Sequence, residues 1–556
     1  MSREAGPIGS WDLAADGHDG SGHGIDAIVE GDVGFGARAN PAIGRQVATF
    51  RGAGRLVAVP PVGLGTRDFT VAAWVNAAAN PTTVLGDVVS WFDPATRNGF
   101  SLGFEHGSPC GSHGNDRTAW FGVDAGTAPR FVDHGRPGDA TVMVCSLASF
   151  EGDLYAGTWE AGSSPRGRVH RLRPGGWEDC GSPWDANAVT RLAVHDGALY
   201  AGVSRLRGGG SGLDDSANQN PGGRVLRYEG GDRWSDQGQL AGADSIAALV
   251  PFDGALYAAP MYSEGMFRFD GPGSWGWCGS PGRRLLALGV HAGALYGAGN
   301  DHAHVDSAIA LTKAGIVVPA RSTSGGGGVF RYDGDDRWTG RGLQPDTPQL
   351  YSIETYGGCM LVGTWPTGLV IRATNLDEPG DAVWEPIGRL GAETEIMNLQ
   401  AYNGMLYAGT LPHAQVYRYD GDDDWALLGA LDDTPDVRYR RAASMVVFRG
   451  ELFVGTLPSG HVHSLRAGAV ATWDRSLPAG WHHLAGVRSG RTIALFLDGV
   501  AVATGPEDGP GRAFERGPDV PLVIGGGTRA GFEGDLTAVR LWDRALDADE
   551  IRGLAG

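Results

Sequence analysis

The sequence predicts an all-β protein in which a ring of repeated sheets is inserted into a second domain that is cut in two. A Gly-centred strand motif recurs through the middle of the chain, each copy is followed by further short strands, and the two terminal segments carry motifs of one other β domain. The 556 residues suffice for two or three domains, and 92 Gly and 31 Pro with 42% hydrophobic residues indicate a turn-rich folded protein.

The repeated motif is an apolar strand, a turn that ends in Gly, and a second strand such as LYAGT. Seven copies recur at intervals of 39 to 65 residues, with the turn glycines Gly152, Gly197, Gly254, Gly293, Gly358, Gly404 and Gly450. Five residues before each Gly stands a large apolar residue, namely Leu147, Leu192, Leu249, Leu288, Ile353, Leu399 or Met445. Such a position is expected to pack between neighbouring sheets.

A third strand follows a variable loop, and a turn such as YDGDDRW leads to a fourth strand. Asp-Gly and Gly-Gly suit tight hairpins because these residues tolerate positive φ. The fourth strand begins with Trp and reaches Gly four residues later, in the pairs Trp177/Gly181, Trp234/Gly238, Trp275/Gly279, Trp338/Gly342, Trp384/Gly388 and Trp425/Gly429. Four antiparallel strands at this period are typical of a β-propeller, so we predict seven blades over residues 130–468.

One Trp–Gly pair is missing at the end of this region. After GHVHSL the chain offers Trp473, but Leu477 stands where Gly is expected. The stretch FVDHG, from Phe131 to Gly135, supplies the missing spacing upstream of the first repeat. We therefore predict that it lies alongside residues 461–466 as the fourth strand of the last blade, which leaves no open sheet edge.

The terminal segments, residues 1–129 and 469–556, are predicted to be two halves of one domain. DFTVAAWVN and GFSLGFEHG lie in the first segment, and WHHLAGV, TIALFLDGVAVAT and GFEGDLTAVRLWDRALDADEI lie in the second. These motifs resemble those of laminin-G-like jelly rolls in the concanavalin A-like lectin/glucanase superfamily. The predicted fold is therefore all-β, with a seven-bladed β-propeller inserted into a split β-sandwich (jelly roll), because a closed propeller returns its two ends to one place.

The ring is also similar to kelch-type propellers in the spacing of Gly, Tyr and Trp. Only YGGCM carries the double Gly of that family, so no kelch functional residue is carried over to this chain.

Composition excludes several functions. The net charge of −19 argues against non-specific binding to nucleic acid or to an anionic membrane, and no apolar run approaches the roughly 20 residues of a membrane span. The five cysteines are scattered without a CxxC pair, which predicts neither a disulfide framework nor a zinc site. The location stays open: a native N-terminus predicts the cytoplasm, and removal of a signal peptide would make the protein secreted.

The predicted site lies on the propeller face where the loops after the second strands and between blades emerge. Long insertions follow the second strands of the second and fourth blades, and ordered insertions on one face often line a site. The candidate catalytic residues are His302, His304, His413, Tyr262, Arg284 and Arg441. The candidate ligand-binding residues are Trp159, Glu160, Arg205, Glu264, Trp365, Glu395 and His461.

Carbohydrate recognition is the function that these residue types favour. Trp and Tyr offer flat faces to sugar rings, and Arg pairs with carboxylates of acidic sugars. The alternatives are a polysaccharide lyase, in which His or Tyr takes a proton beside an Arg-bound carboxylate, and a glycoside hydrolase that uses two carboxyl groups. A protein-interaction scaffold is the third alternative, and whether the protein is an enzyme stays open.

Candidate metal ligands occur in two places. Laminin-G-like domains often bind calcium through Asp and backbone carbonyl groups, so the resemblance implies Asp19 and Asp535 as candidate calcium ligands. The segment NDHAHVD, from Asn300 to Asp306, is a second candidate for a divalent cation, against the simpler reading of a polar loop.

Overall fold

A computed structural model of the chain describes residues 6–40, 45–59, 64, 68–107, 109–162, 165–301, 325–344, 346–376, 378–505 and 520–556. The candidate residues His302 and His304, with most of the fourth-blade insertion, lie outside these ranges. Among the described residues, no helix has the length and apolarity needed to cross a membrane.

The described elements are almost entirely β-strands. The N-terminal segment contains β1 (Gly9–Trp11), β2 (Asp26–Glu30), β3 (Val33–Asn40), β4 (Arg45–Arg51), β5 (Arg55–Val59), β6 (Phe69–Ala77), β7 (Asp87–Asp93), β8 (Asn98–Gly107) and β9 (Asn115–Ala125). The C-terminal segment contains β38 (Ala469–Ser476), β39 (His482–Ser489), β40 (Thr492–Leu497), β41 (Val500–Gly505), β42 (Val523–Ile524), β43 (Glu533–Trp542) and the helix α1 (Ala548–Ala555).

The central region contains the strands β10 to β37. They are β10 (Arg130–Asp133), β11 (Thr141–Phe150), β12 (Asp153–Glu160), β13 (Val169–Arg173), β14 (Gly176–Asp179), β15 (Ala188–His195), β16 (Ala198–Ser204), β17 (Arg224–Tyr228), β18 (Trp234–Gln239), β19 (Ile246–Phe252), β20 (Ala255–Pro260), β21 (Phe267–Gly271), β22 (Ser274–Trp277), β23 (Arg284–His291), β24 (Ala294–Asn300), β25 (Gly327–Tyr332), β26 (Trp338–Gln344), β27 (Gln349–Tyr356), β28 (Cys359–Trp365), β29 (Leu369–Ala373), β30 (Trp384–Arg389), β31 (Glu395–Tyr402), β32 (Met405–Leu411), β33 (Gln415–Gly421), β34 (Asp424–Ala430), β35 (Arg441–Phe448), β36 (Glu451–Leu457) and β37 (Val462–Arg466).

The terminal segments share both sheets of a β-sandwich. One sheet has the order β3-β4-β43-β6-β39-β40-β41, with β1 also paired to β43, and the other has the order β2-β5-β42-β7-β8-β9-β38. Aromatic side chains fill the space between them: the rings of Phe69 and Phe100 lie 4.8 Å apart, and Phe121 packs edge-on against Phe69. Each sheet therefore needs strands from both ends of the chain.

The central strands form a β-propeller, and the predicted number of separate blades is wrong. Five four-stranded sheets stand alone as blades, whereas β11–β14 and β15–β18, predicted as two blades, join into one eight-stranded sheet. The junction is one residue pair, Trp159 with Ala188, at the edge where the first strand of one unit approaches the second strand of the other. The first strands of the units, β11, β15, β19, β23, β27, β31 and β35, form a closed ring around a central channel.

The ring is closed by the upstream strand, as predicted. β10 pairs antiparallel with β37, with Phe131 opposite Leu465 and Val132 opposite Ser464. Just beyond this pair, β9 and β38 are also antiparallel partners, with Val123 opposite Ala469. The outgoing and returning chain therefore run side by side from the sandwich into the propeller, which explains how the sandwich accommodates an insertion of this length.

Repeated packing contacts hold the units together. The seven large apolar residues before the turn glycines are all buried, which confirms their predicted packing role. Each fourth-strand Trp donates its indole N–H to a backbone carbonyl of the preceding unit, for example Trp234 to Cys180 at 2.9 Å and Trp338 to Cys278 at 2.9 Å. Trp177 donates to His134, so the closing strand also takes part in this series.

The sandwich covers one face of the propeller. Several turns between first and second strands meet sandwich residues, and a Cβ on Gly404 or Gly450 would collide with Phe92 or with the Val470 carbonyl. The tip of the β8–β9 hairpin, residues 109–114, enters the channel from this face, and we call it the plug. Backbone bridges join it to the ring, with Ser112 beside Leu249 and His113 beside Ala193.

Candidate functional site

The channel contains a cavity of about 350 Å³ on the propeller side of the plug. Cys110, in the plug, forms part of its lining, so the sandwich contributes to a site that is otherwise built by the propeller. Hydrogen bonds fix the plug: the His113 N–H donates to the Leu192 carbonyl at 3.2 Å, and the Ser149 N–H donates to the Gly114 carbonyl at 2.8 Å. The cavity is therefore closed below by a rigid hairpin tip.

A β-bulge gives the cavity most of its inner wall. The pairing between the first and second strands is interrupted at the same position in every unit, where one extra residue is inserted into the first strand. A bulge re-aims a side chain that regular alternation would direct elsewhere. The inserted residues that line the cavity are Cys145, Thr190, Leu286, Tyr351, Met397 and Ala443.

Three buried guanidinium groups meet in the cavity. Arg191, Arg284 and Arg441 come from three different first strands, are 6–9% exposed, and all line the cavity. Arg191 donates from Nη1 to the Thr190 carbonyl at 2.7 Å, and Arg441 donates from Nη2 to the Gly210 carbonyl at 2.7 Å. Backbone carbonyls orient these two side chains without neutralising their charge.

Glu395 is the buried carboxyl group of this site. It begins β31, is 3% exposed, and has one side-chain oxygen, Oε1, without a hydrogen-bond partner among the described residues. Burial raises its pKa to about 7, although Arg441 and Tyr351 favour the ionised form and oppose this shift. A carboxyl group with a pKa near neutrality can exchange a proton with a ligand under ordinary conditions.

Aromatic rings and the predicted second-blade insertion form the rest of the lining. Trp365, Tyr262, Tyr351 and Tyr439 contribute rings, and burial raises the pKa of the Tyr262 phenol. The insertion extends from the second strand of its unit across the channel, where the Gly210 carbonyl accepts the hydrogen bond from Arg441 of the last blade. This segment narrows the entrance to the cavity.

The two cysteines of the lining are uncharged thiols. Burial raises the pKa of Cys145 to about 12 and also raises the pKa of Cys110. They therefore present apolar surface rather than reactive thiolates to a ligand.

Five predicted site residues come together in this cavity: Tyr262, Arg284, Trp365, Glu395 and Arg441. Six others have local partners and do not line it. Glu160 is buried 3.3 Å from Nε2 of His170, and Trp159 packs beside Ala188 in the ring. Both act within the framework of the first unit.

The other four belong to the rim of the propeller. Arg205 forms an ion pair with Asp244, and Glu264 accepts a hydrogen bond from Ser280. His413 is half exposed and contacts the buried Glu393 through Nδ1. His461 contacts Asp133 of the closing strand, 2.9 Å from Oδ2.

The predicted calcium ligands hold separate sets of partners in the sandwich. Asp19 accepts hydrogen bonds from the backbone N–H groups of Ser10, Ser21 and Ile25. Burial would raise the pKa of Asp19, but these bonds and the Ser21 hydroxyl outweigh it and lower the pKa. Asp535 accepts from Thr49 and Asn76 on the neighbouring strands.

Sequence reasoning missed two parts of the site. Arg191 stands where the other first strands carry Ser146, Ala248, Ala287, Ser352, Asn398 or Ser444, each paired with the Gly or Ala of the second strand. A strict alignment of the repeats would have exposed that single Arg. The plug, within HGSPCGSHG, was missed because nothing in the sequence shows that a sandwich hairpin enters the propeller.

The fold and the cavity define an all-β protein with a ligand-sized site at the centre of a propeller that is inserted into a sandwich. Residues 452–552 match the family described as the concanavalin A-like lectin/glucanases superfamily. This match supports the resemblance for the C-terminal part, and it begins within the last blade. The kelch-type character of the ring stays a prediction.

Solved structures resemble the propeller only distantly. They include YCF48 bound to D1 peptide (12% identity, 61% of this chain, 97% of that chain, TM-score 0.39) and the WD40 β-propeller domain of Doa1 (10%, 60%, 96%, 0.40). Saccharomyces cerevisiae Sqt1 is a third (11%, 61%, 97%, 0.35). Likenesses this low carry no argument about function, and no curated protein matches the chain.

Proposed function

We propose that this protein recognises a short acidic saccharide and that the central cavity binds its carboxylate-bearing sugar. The observation that carries this proposal is the meeting of Arg191, Arg284 and Arg441 in one cavity of a chain whose net charge is −19. A local excess of buried guanidinium groups favours an anionic ligand, and Arg binds carboxylates through paired hydrogen bonds.

The size and lining of the cavity also support a saccharide. A volume of about 350 Å³ lies at the lower end of ordinary ligand pockets and suits one or two sugar units. Trp365, Tyr262 and Tyr351 offer apolar ring faces, while Gln349 and Asp215 offer hydrogen-bonding groups for hydroxyls. Such a mixture of flat apolar and polar groups is typical of sugar sites.

Calorimetric titration with uronic acid oligosaccharides and with neutral oligosaccharides of the same length tests the proposal. We expect the acidic ligands to bind at least tenfold more tightly. Arg284→Gln should weaken that binding at least tenfold, because it removes a guanidinium group from the cavity. Arg205→Gln is the matched control, since Arg205 is paired with Asp244 outside the lining, and it should change the affinity less than twofold. Equal affinity for acidic and neutral ligands would contradict the proposal.

A polysaccharide lyase is the second candidate, and the pKa of about 7 at Glu395 favours it. In such a reaction a base takes the proton from the carbon beside the carboxylate, the bond to the leaving glycosidic oxygen breaks, that oxygen takes up a proton, and a carbon–carbon double bond remains in the sugar. The product absorbs ultraviolet light. Ultraviolet absorbance that grows with wild type and disappears with Glu395→Gln would establish the lyase. Binding without a rise in absorbance would support recognition without catalysis.

Propeller and sandwich folds also serve protein interaction, so a protein partner is the remaining alternative. Binding of a protein that free uronic oligosaccharides fail to displace would favour it.

A further inference from the structure

The base of the plug contains a second group of polar side chains, on the side away from the cavity. In the described part of the chain, two groups of three side chains have potential metal-binding atoms within 4.8 Å of one another. One consists of His106, His113 and Asp116 and is enclosed between the sandwich and the propeller. The other consists of Asp133, His461 and His463 on the rim.

The fold of the β8–β9 hairpin brings His106, His113 and Asp116 together. His106 lies in β8 and Asp116 in the paired strand β9, while the plug folds back so that His113 lies over both. The plug backbone is fixed there, because the Val194 N–H donates to the His113 carbonyl at 2.9 Å. The two imidazole rings have centroids 4.5 Å apart.

Both imidazole nitrogens lie close to the same carboxylate oxygen. Nδ1 of His106 lies 3.3 Å from Oδ1 of Asp116, and Nε2 of His113 lies 3.6 Å from the same oxygen. Two ligands of a tetrahedral zinc ion, each about 2.1 Å from the metal, are separated by about 3.4 Å. Nδ1 of His106 is buried in a residue that is only 5% exposed, and among the described residues its polar neighbour is this carboxylate oxygen.

The surroundings also suit a metal ion. Ser476 donates a hydrogen bond to the other carboxylate oxygen of Asp116, Oδ2, at 2.8 Å, which leaves Oδ1 directed at the histidines. Hydrogen bonds of this kind orient metal ligands. A cavity of about 20 Å³ adjoins both histidines and has room for one water molecule, which would supply a fourth ligand.

Several buried charged side chains surround this point. Asp87, Glu105, Asp116 and Glu354 are four buried or nearly buried carboxyl groups around the interface. Two guanidinium groups accompany them: Arg529 pairs with Glu105 and Glu354, and Arg117 lies near Asp116. His195 is the other titratable side chain that faces this group.

We infer that His106, His113 and Asp116 bind a divalent transition-metal ion, with zinc as the best match, which fixes the plug against the base of the propeller. The ligand set of two imidazoles and one carboxylate suits zinc or cobalt, whereas calcium and magnesium prefer oxygen ligands. The site is enclosed, so its role is structural: it positions the hairpin whose Cys110 lines the cavity. The inference does not depend on which ligand the cavity binds.

Metal content measured by plasma mass spectrometry tests this inference on the full-length protein. Protein incubated with Zn²⁺ and then dialysed against a weak chelator should retain about one equivalent in wild type. His113→Gln and Asp116→Asn should each retain less than a tenth of that amount. Loading with Co²⁺ should give wild type the visible absorption bands of a four-coordinate cobalt ion, which both variants should lack.

His463→Gln is the matched control, because it makes the same change in the other group of three. In that group, Nδ1 of His461 already lies 2.9 Å from Oδ2 of Asp133. The control should therefore keep the metal content of wild type. Less than a tenth of an equivalent in wild type would overturn the inference directly, even if a variant failed to fold. Equal retention by wild type and Asp116→Asn, or equal loss in His463→Gln, would also overturn it.

Discussion

The two ends of the propeller channel contain buried ionisable groups of opposite balance. At the open end, Arg191, Arg284 and Arg441 line the cavity together with the buried carboxyl group of Glu395. At the end covered by the sandwich, Glu105 and Glu354 share Arg529, which is deeply buried. Buried charge is costly unless it is paired, so each end favours an ion of the opposite sign.

The two ends of the channel differ in the source of that counter-ion. The open end lies on the face away from the sandwich, where we propose that an anionic ligand enters and leaves. The covered end is sealed by β8, β9 and the loop that carries Arg529, and its charges must be balanced by the protein or by an ion enclosed with it. The same channel thus combines a binding site with a structural junction, and the plug separates them.

The largest expected effect comes from removing the guanidinium of the covered end. Arg529→Met would leave Glu105 and Glu354 buried without their partner, which costs about 3–5 kcal/mol of unfolding free energy. Urea denaturation followed by tryptophan fluorescence measures this loss.

Arg441→Met makes the same substitution at the open end. There it should change the unfolding free energy by less than about 1 kcal/mol while weakening the binding of acidic ligands, because the guanidinium is held by a backbone carbonyl rather than by a carboxylate. Similar losses of stability in both variants would remove the distinction between the two ends.

The next largest effect on stability concerns the contact between the sandwich and the face of the propeller that it covers. Gly450 and Gly197 occupy the same position in two repeats, and their φ values are 70° and 64°. An Ala at either position pays roughly 1 kcal/mol for the left-handed conformation. A Cβ on Gly450 would also lie 2.0 Å from the Val470 carbonyl oxygen, whereas nothing lies within 4 Å of a Cβ on Gly197.

We therefore expect Gly450→Ala to destabilise the protein by about 2–3 kcal/mol more than Gly197→Ala, since overpacking of a close contact adds to the conformational cost. Thermal unfolding of the two variants measures the difference. Equal unfolding temperatures would mean that the sandwich contact yields without cost.

The sequence predicted the repeated parts of the fold and not the singular ones. The turn glycines, the large apolar residue buried before each of them and the FVDHG strand were all recognisable because each is one member of a periodic pattern. The pairing of Trp159 with Ala188, which joins two predicted blades into one sheet, depends on a single residue pair and has no periodic signal.

Prediction of the candidate site was limited in the same way, because residues at equivalent positions of the repeat differ in their contacts. Tyr262, Arg284, Trp365, Glu395 and Arg441 were found because strand ends and second-strand loops of a propeller face its channel. Glu160 and Trp159 occupy comparable positions, yet His170 and the Ala188 strand engage them locally. Packing between units decides which of several equivalent residues contacts a local partner. The repeat pattern alone does not predict that contact.

A smaller effect concerns the pH dependence of the open end. The folded-state pKa of Glu395 is about 7, above the roughly 4.3 of an unfolded chain. The folded state therefore holds the extra proton in this window, and the contribution of Glu395 to stability falls as pH rises from about 4 to 7. The protonated form also removes a negative charge that would repel an anionic ligand.

Acidic oligosaccharides should accordingly bind about fivefold more tightly at pH 6 than at pH 8, which corresponds to about 1 kcal/mol. Calorimetric titrations at the two pH values check this, and Glu395→Gln should bind equally at both. A stronger affinity at pH 8 in wild type would reverse the assigned role of the carboxyl group.

The smallest expected effect tests how firmly the plug is held between the two ends. The hydroxyl of Ser112 in the plug lies 2.9 Å from the hydroxyl of Ser146 in β11, and Ser146 also accepts a hydrogen bond from the Leu192 N–H. Ser112→Ala removes the first contact and leaves the second, so it should cost about 1 kcal/mol. Ser149→Ala, next to the plug, is the control, because the buried Ser149 hydroxyl has no hydrogen-bond partner in the part of the chain that the structure describes, and its removal should cost nothing. Urea denaturation of both variants separates these values, and a Ser112→Ala variant as stable as Ser149→Ala would mean that the backbone bridges alone hold the plug.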